Sequence, residues 1–145
     1  MLQLPIFNQV SHGFRSVRIP NGALGAGVNI SPAVNEIWSP SSIFFTLHTS
    51  LAVADRFLIV AIGDTPNFGF KFQSSVPIFA TQFRNVNLFV GANPEYPVDP
   101  NASWQISIPH DTFVQFPNYI TLGGQGLDVN DQFTGININF RLWTL

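Results

Sequence analysis

The chain reads as all-β: a two-sheet, jelly-roll-like sandwich of about eight or nine strands. Three observations predict it. Near the C-terminus, Ile136, Ile138, Phe140 and Leu142 alternate with Asn137, Asn139 and Arg141, and successive side chains of a strand point to opposite faces. Breaks rich in Gly, Pro, Asn and Ser recur about every ten residues, the spacing of a sandwich or barrel. No segment carries an amphipathic stripe through three helical turns, and only Ser50 to Arg56 has room for a single turn.

The terminal strand is the clearest element. Burying its four large apolar side chains contributes roughly 1.5–3 kcal/mol each, about 6–12 kcal/mol gross. A whole domain is stable by about 5–15 kcal/mol net. The strand is therefore expected inside the sheet system, closing it.

Taken in order, residues 1–12 are apolar, broken by Pro5 and without a period. Gly13 to Ile19 suits a short strand stopped by Pro20, and the glycine-rich run Asn21 to Gly27 is a loop or the hinge of an arm. Trp38 precedes a Ser-Pro-Ser-Ser break, after which Ile43, Phe45 and Leu47 alternate with Phe44, Thr46 and His48. Arg56 to Ile62 is apolar on both faces, the pattern of a central, covered strand. Phe68, Phe70 and Phe72 alternate; Ile78 to Phe83 and Arg84 to Val90 follow, the latter with Val86, Leu88 and Val90 on one face. Pro94, Pro97 and Pro100 make Ala92 to Asn101 a long loop, since proline cannot donate to a ladder. Trp104, Ile106 and Ile108 form the next strand, and Thr112 to Phe116 and Asn118 to Leu122 two short ones. Gly123 to Gly126 reads as a tight turn, and Leu127 to Gln132 as a polar acidic loop.

Composition bounds the function. The chain has 145 residues, enough for one domain with a core that needs no staples. It has no cysteine, which removes disulfides, thiol nucleophiles and thiolate metal sites. Its first residues lack the pattern of a secretory signal, and no apolar stretch approaches the roughly 20 residues of a membrane-spanning helix. The expectation is a soluble protein not exported by its own signal, without membrane partners. Charged residues make up only 10%, against about 25% in ordinary domains. Lys71 is the sole lysine, and phenylalanine occurs 15 times. Uncharged polar groups lose less on desolvation than charges do, so such a surface suits coverage by neighbours. The net charge of −2 leaves no footprint for nucleic acid.

Candidate chemistry is sparse. His110 and Asp111 are neighbours, but adjacent strand residues point apart, and no nucleophile elbow accompanies them. His12 and His48 lack partners at metal-ligand spacing. Asp128, Asn130 and Asp131 cluster without the spacing of a calcium loop. The glycines at 123–126 lack the Lys-Ser/Thr of a phosphate loop. Trp38, Trp104 and Trp143 are a sugar-stacking face or, more ordinarily, core. Trp143 is the exception, because alternation puts it beside Arg141 on the polar side, a pairing enriched at protein contacts. No catalytic, cofactor or metal residues are expected.

The run from Ala54 through Asp55 and Arg56 to Asp64, after a strand beginning beyond Trp38, resembles a pattern in small virion structural proteins of tailed bacteriophages. The second half, from Ile106 to Pro109 through Leu122 to Gly124, Asp128 to Asp131 and the last strand, continues the likeness over residues 36–145. Asp55 replaces the asparagine usual in that pattern, and the aromatic middle is longer. The resemblance implies a jelly-roll capsid cement or decoration protein on the virion surface. Such proteins bind the major capsid protein across its joints as homo-oligomers, trimers more often than dimers.

The resulting expectation is a non-enzymatic structural protein with an N-terminal arm over residues 1–30 and a sandwich over 31–145. Its interface residues would be Phe7, Phe14, Asn137, Asn139, Arg141 and Trp143. Removing residues 1–27 should then abolish shell binding and leave a folded domain. The alternatives are a tail, fibre or head–tail connector component, or a carbohydrate-binding module using exposed aromatics.

Overall fold

A computed structural model describes residues 13–63 and 68–145. It contains ten strands and no helix among these residues: β1 (Phe14–Ile19), β2 (Val28–Ile30), β3 (Glu36–His48), β4 (Phe57–Gly63), β5 (Phe68–Gln73), β6 (Phe83–Val90), β7 (Trp104–Ile108), β8 (Val114–Gln115), β9 (Tyr119–Gln125) and β10 (Gln132–Thr144). The larger sheet has the order β1-β10-β3-β6-β7, with β8 also paired to β3; the smaller has the order β2-β9-β4-β5. All pairs are antiparallel except β6 with β7, which departs from an all-antiparallel jelly roll.

The core lies between the sheets. Ile43, Phe45, Leu47, Val86, Leu88, Ile106, Ile136 and Ile138 of the larger sheet share one buried cluster with Leu58, Val60, Ile62, Ile120 and Leu122 of the smaller. β10 sits between β1 and β3, as expected of the strand that closes the system, and Ile136, Ile138, Phe140 and Leu142 are all buried. Phe140 stacks on Trp38 with centroids 4.1 Å apart.

Two bulges explain what simple alternation misses. Phe133 and Ile136 are both buried although three residues apart, a spacing that places them on opposite faces of a regular strand. The register of β10 on β3 shifts between Thr134 and Asn137, and Gly135 takes φ 60° there. This extra residue resets the phase, and the left-handed backbone suits glycine. The second shift pairs Asn139 with Ser42 but Phe140 with Pro40. Ser41 is the extra residue, and its hydroxyl donates to the Asn139 carbonyl at 3.1 Å. Pro40 therefore does not break the chain as expected: β3 runs unbroken from Glu36 to His48. On its other side β3 pairs with β8 at residues 37–38 and β6 from residue 42, so Pro40 falls in the gap between them.

Several expectations are corrected. Residues 14–30 are not an arm: β1 pairs with β10 in the larger sheet and β2 with β9 in the smaller. The glycine run between them is seated against the start of β10 and the loop before it. The Gly22 amide donates to Phe133 O at 2.9 Å and the Gly25 amide to Asp131 O at 2.7 Å. A Cβ on Gly25 would stand 2.8 Å from the Val129 Cα, so close approach explains that glycine. Removing residues 1–27 would thus strip a strand from the larger sheet rather than trim an appendage. Residues 1–12, Phe7 and His12 among them, lie outside the described residues.

Gly123 and Gly124 belong to β9 rather than to a tight turn, pairing with Ile59 and Leu58. Residues 78–82 form no strand; Ile78 makes one isolated bridge, with Arg56. Ser50 to Arg56 holds no helical turn. β4 is central, between β9 and β5, but Phe57 and Ile59 on its outer side are only half-buried.

Candidate functional site

The pleat of the larger sheet turns one residue in two away from the core, and the register assembles these into rows. One row runs Arg18, Asn137, Phe44, Asn87, Gln105 across β1, β10, β3, β6 and β7. The next runs Ser16, Asn139, Ser42, Phe89, Ser107. Thr134, Thr46 and Asn85 form a third, and Gln132, His48 and Phe83 a fourth. None of these positions holds a carboxylate, and Arg18 is their only arginine. The face is a field of amides and hydroxyls set with three phenylalanines: Phe44 and Phe89 are each 36% exposed and Phe83 63%.

The amides and hydroxyls are partly ordered by one another. Thr46 Oγ1 donates to Asn85 Oδ1 at 2.7 Å, and Asn139 Nδ2 donates to Ser42 Oγ at 2.8 Å. His48 packs edge-on against Phe83 at 4.2 Å between centroids. Each amide retains further donor and acceptor capacity for a partner.

At the β1 end the face passes into a recess of about 380 Å³. Arg141 pairs in register with Phe14 on one side and Ser39 on the other. Its guanidinium lies over the Phe14 ring at 4.9 Å and the Trp143 ring at 5.9 Å. Trp143 is held edge-on against Phe113 at 5.8 Å. Trp143 is thus half-buried, a wall of the recess, while Phe14 is 67% exposed. Of the residues expected at an interface, Phe14, Asn137, Asn139 and Arg141 share this face and Trp143 adjoins it; Phe7 lies outside the described residues. His110 and Asp111, in the turn after β7, line the same recess.

Two buried arginines support the frame. Arg56 pairs with Asp131 at 2.9 Å, both side chains buried. Asp131 also accepts from the Ser50 and Asp128 amides, each at 2.8 Å. Burial raises the Asp131 pKa, but the Arg56 hydrogen bond, the two amides and the Arg56 charge outweigh it, leaving the carboxyl below its ordinary value. Arg84 Nη1 donates to the carbonyls of Pro97, Asp99 and Ala102 at 3.1, 2.8 and 2.9 Å, fastening the proline-rich loop over β6. Burial lowers the Arg84 pKa, and the charge of Asp99 pushes against that.

Trp38 and Trp104 are buried in the core, so neither offers a sugar-stacking surface. Asp128 accepts from the Ser50 hydroxyl at 2.8 Å and the Asn130 amide at 3.0 Å, an internal loop arrangement. Among the described residues no three His, Asp or Glu side chains are placed to hold a metal. No described helix is long and apolar enough to cross a membrane.

No family model, curated protein or solved structure matches the chain. The functional reading therefore rests on the residues.

The contribution of Asn85, Asn87 and Phe89 was not singled out by sequence reasoning. The signal was present, because Val86, Leu88 and Val90 leave these three on the opposite side. What alternation lacks is which strands stand beside β6, and only the β3 and β7 pairings make one face of them.

Proposed function

We propose that this chain is a non-enzymatic structural protein of a virion. In this reading it is a capsid cement or decoration protein that self-associates and binds joints between major capsid subunits. The observation that carries the reading is the outer face of the larger sheet: five strands wide, free of carboxylates, and set with exposed phenylalanines among amides and hydroxyls. Covering such a face costs little in charge desolvation, while the phenylalanines supply apolar area and the amides supply directional bonds. The resemblance to small virion proteins over residues 36–145 supports the same reading.

The mechanism would be mechanical. Each copy adds modest contacts, and a symmetric shell repeats them at every joint, so the summed resistance to expansion or rupture is large. A trimer would place three such faces around one axis of the shell.

The test is the abundance of the protein in purified particles, together with its mass in solution by light scattering. A copy at each shell joint and a stable trimer or dimer are expected. A few copies per particle would instead assign a connector or fibre, and a monomer at every concentration would overturn self-association.

A further inference from the structure

We propose that the recess around Arg141 is a binding site for an acidic sugar residue, of the uronic-acid or sialic-acid class. The site shares Phe14, Arg141 and Trp143 with the margin of the face proposed to meet the shell, and its test on the free chain does not rest on that reading.

Arg141 carries the argument. Among the described residues its guanidinium makes no ion pair and no hydrogen bond; its neighbours are the rings of Phe14 and Trp143. Contacts with rings engage the charge but leave the N–H donors open, and a guanidinium presents those donors in a fork that matches a carboxylate. The arginine is also pre-positioned. Its backbone lies in β10 with a paired strand on each side, and Trp143 is braced by Phe113. A ligand would pay little to order the site.

The remaining walls decide the class of ligand. The recess, at about 380 Å³, falls within the roughly 300–1,000 Å³ of small-molecule pockets. Asp111 lines it too, with no hydrogen bond to a described residue. Asp111 opposes any carboxylate brought to Arg141, and a lone acidic side chain of a protein brings no donor to offset that. A sugar acid satisfies both: its carboxylate pairs with Arg141, its hydroxyls donate to Asp111, and its C–H face rests on Trp143. Ser39 lines the recess as well, and its hydroxyl, which makes no hydrogen bond to a described residue, offers one more polar group.

The experiment titrates the full chain with methyl β-glucuronide and with N-acetylneuraminic acid. Methyl β-glucoside serves as the ring without the carboxylate, and a glutamate-rich peptide as the carboxylate without the ring. Single-site binding of at least one acid sugar is expected, with the glucoside about tenfold weaker, the ratio that one charged hydrogen-bonded contact supplies. Arg141→Gln should weaken binding by a similar factor, and Asp111→Asn severalfold. Because Arg141→Gln could disturb β10, NMR of the unsubstituted protein gives a second readout, with the Trp143 indole and Arg141 side-chain signals moving on titration. Equal affinity for the glucoside, preference for the peptide, shifts confined to other residues, or no binding of either acid would each overturn the proposal.

Discussion

Arg56 and Asp131, 75 positions apart, form a buried ion pair at 2.9 Å that joins the entrance of β4 in the smaller sheet to the entrance of β10 in the larger. Arg56 adds a second bond to Asp131 at 3.2 Å and one to the Ala54 carbonyl at 2.7 Å. The apolar packing between the two sheets is reinforced at this end by a directed contact.

Removing one partner leaves the other charge buried, which costs about 3–5 kcal/mol. Asp131→Asn and Arg56→Ala should each lower stability by that amount in chemical denaturation. The double substitution Arg56→Met with Asp131→Leu should recover much of the loss, because an apolar pair leaves no orphaned charge. If both single variants melt like the parent, the pair does not hold the sheets.

The same carboxylate sets an acid limit. The Asp131 pKa is lowered in the folded chain, with burial opposing and the Arg56 hydrogen bond, the backbone amides and the Arg56 charge prevailing. A depressed folded pKa contributes stability in full above the unfolded value, near 3.9, and that contribution is lost as pH falls through the folded value. Stability should therefore decline below about pH 4, and the part due to Asp131 should be absent from Asp131→Asn. Parallel pH profiles for the two proteins would contradict the assignment.

The sequence made the terminal strand legible because four alternating apolar residues admit one reading. It concealed Arg56 and Asp131. Asp131 looked like one acid of a polar loop, and Arg56 like the charged edge of an apolar run. Their pairing is a consequence of topology, which local pattern does not encode. Pro40 and Gly123 misled for a related reason. Each is punctuation by local pattern, yet Pro40 falls in a gap between partners of β3, and Gly123 lies within β9. The candidate face was half visible. The polar side of β10 could be read from Asn137 and Asn139, whereas its continuation through Phe44, Asn87 and Gln105 needed the strand order.

Arg84 offers a separate test of the proline-rich loop. Its Nη1 meets three carbonyls, Nη2 donates to Val98 O at 3.2 Å, and the guanidinium lies 5.2 Å from the Trp104 ring centroid. Lysine keeps the charge but cannot span these acceptors with a planar fork. Arg84→Lys should cost roughly 2–4 kcal/mol, given about 1.5–3 for a hydrogen bond to a charged group and partial replacement by the ammonium. Hydrogen exchange should quicken at Ala102 and Gln105, the amides bonded to Asp99 O and Glu95 O, before it quickens in β10.

Deleting residues 135–145 removes most of the strand between β1 and β3, leaving both without their shared partner. It also withdraws Ile136, Ile138, Phe140 and Leu142 from the core, about 6–12 kcal/mol of gross burial. The truncated chain should be aggregated or unfolded. A soluble product with a cooperative melt would show that the remaining strands suffice.

The outer face makes the last prediction, through Asn87. It lies between Phe44 and Gln105 in register, near the middle of the five-strand face. Its side chain points away from the core, so Asn87→Lys should change folding stability by less than about 0.5 kcal/mol. In an assembled face, however, each copy would bury a new ammonium with no carboxylate among the outward positions of that sheet to receive it. Light scattering should show dissociation to monomer, and particle binding should be lost, while the melting temperature stays put. Asn29→Lys on β2 of the smaller sheet adds the same charge elsewhere and should leave assembly intact. If both variants assemble like the parent, the larger sheet's face is not the contact. If only Asn29→Lys dissociates, the contact belongs to the smaller sheet.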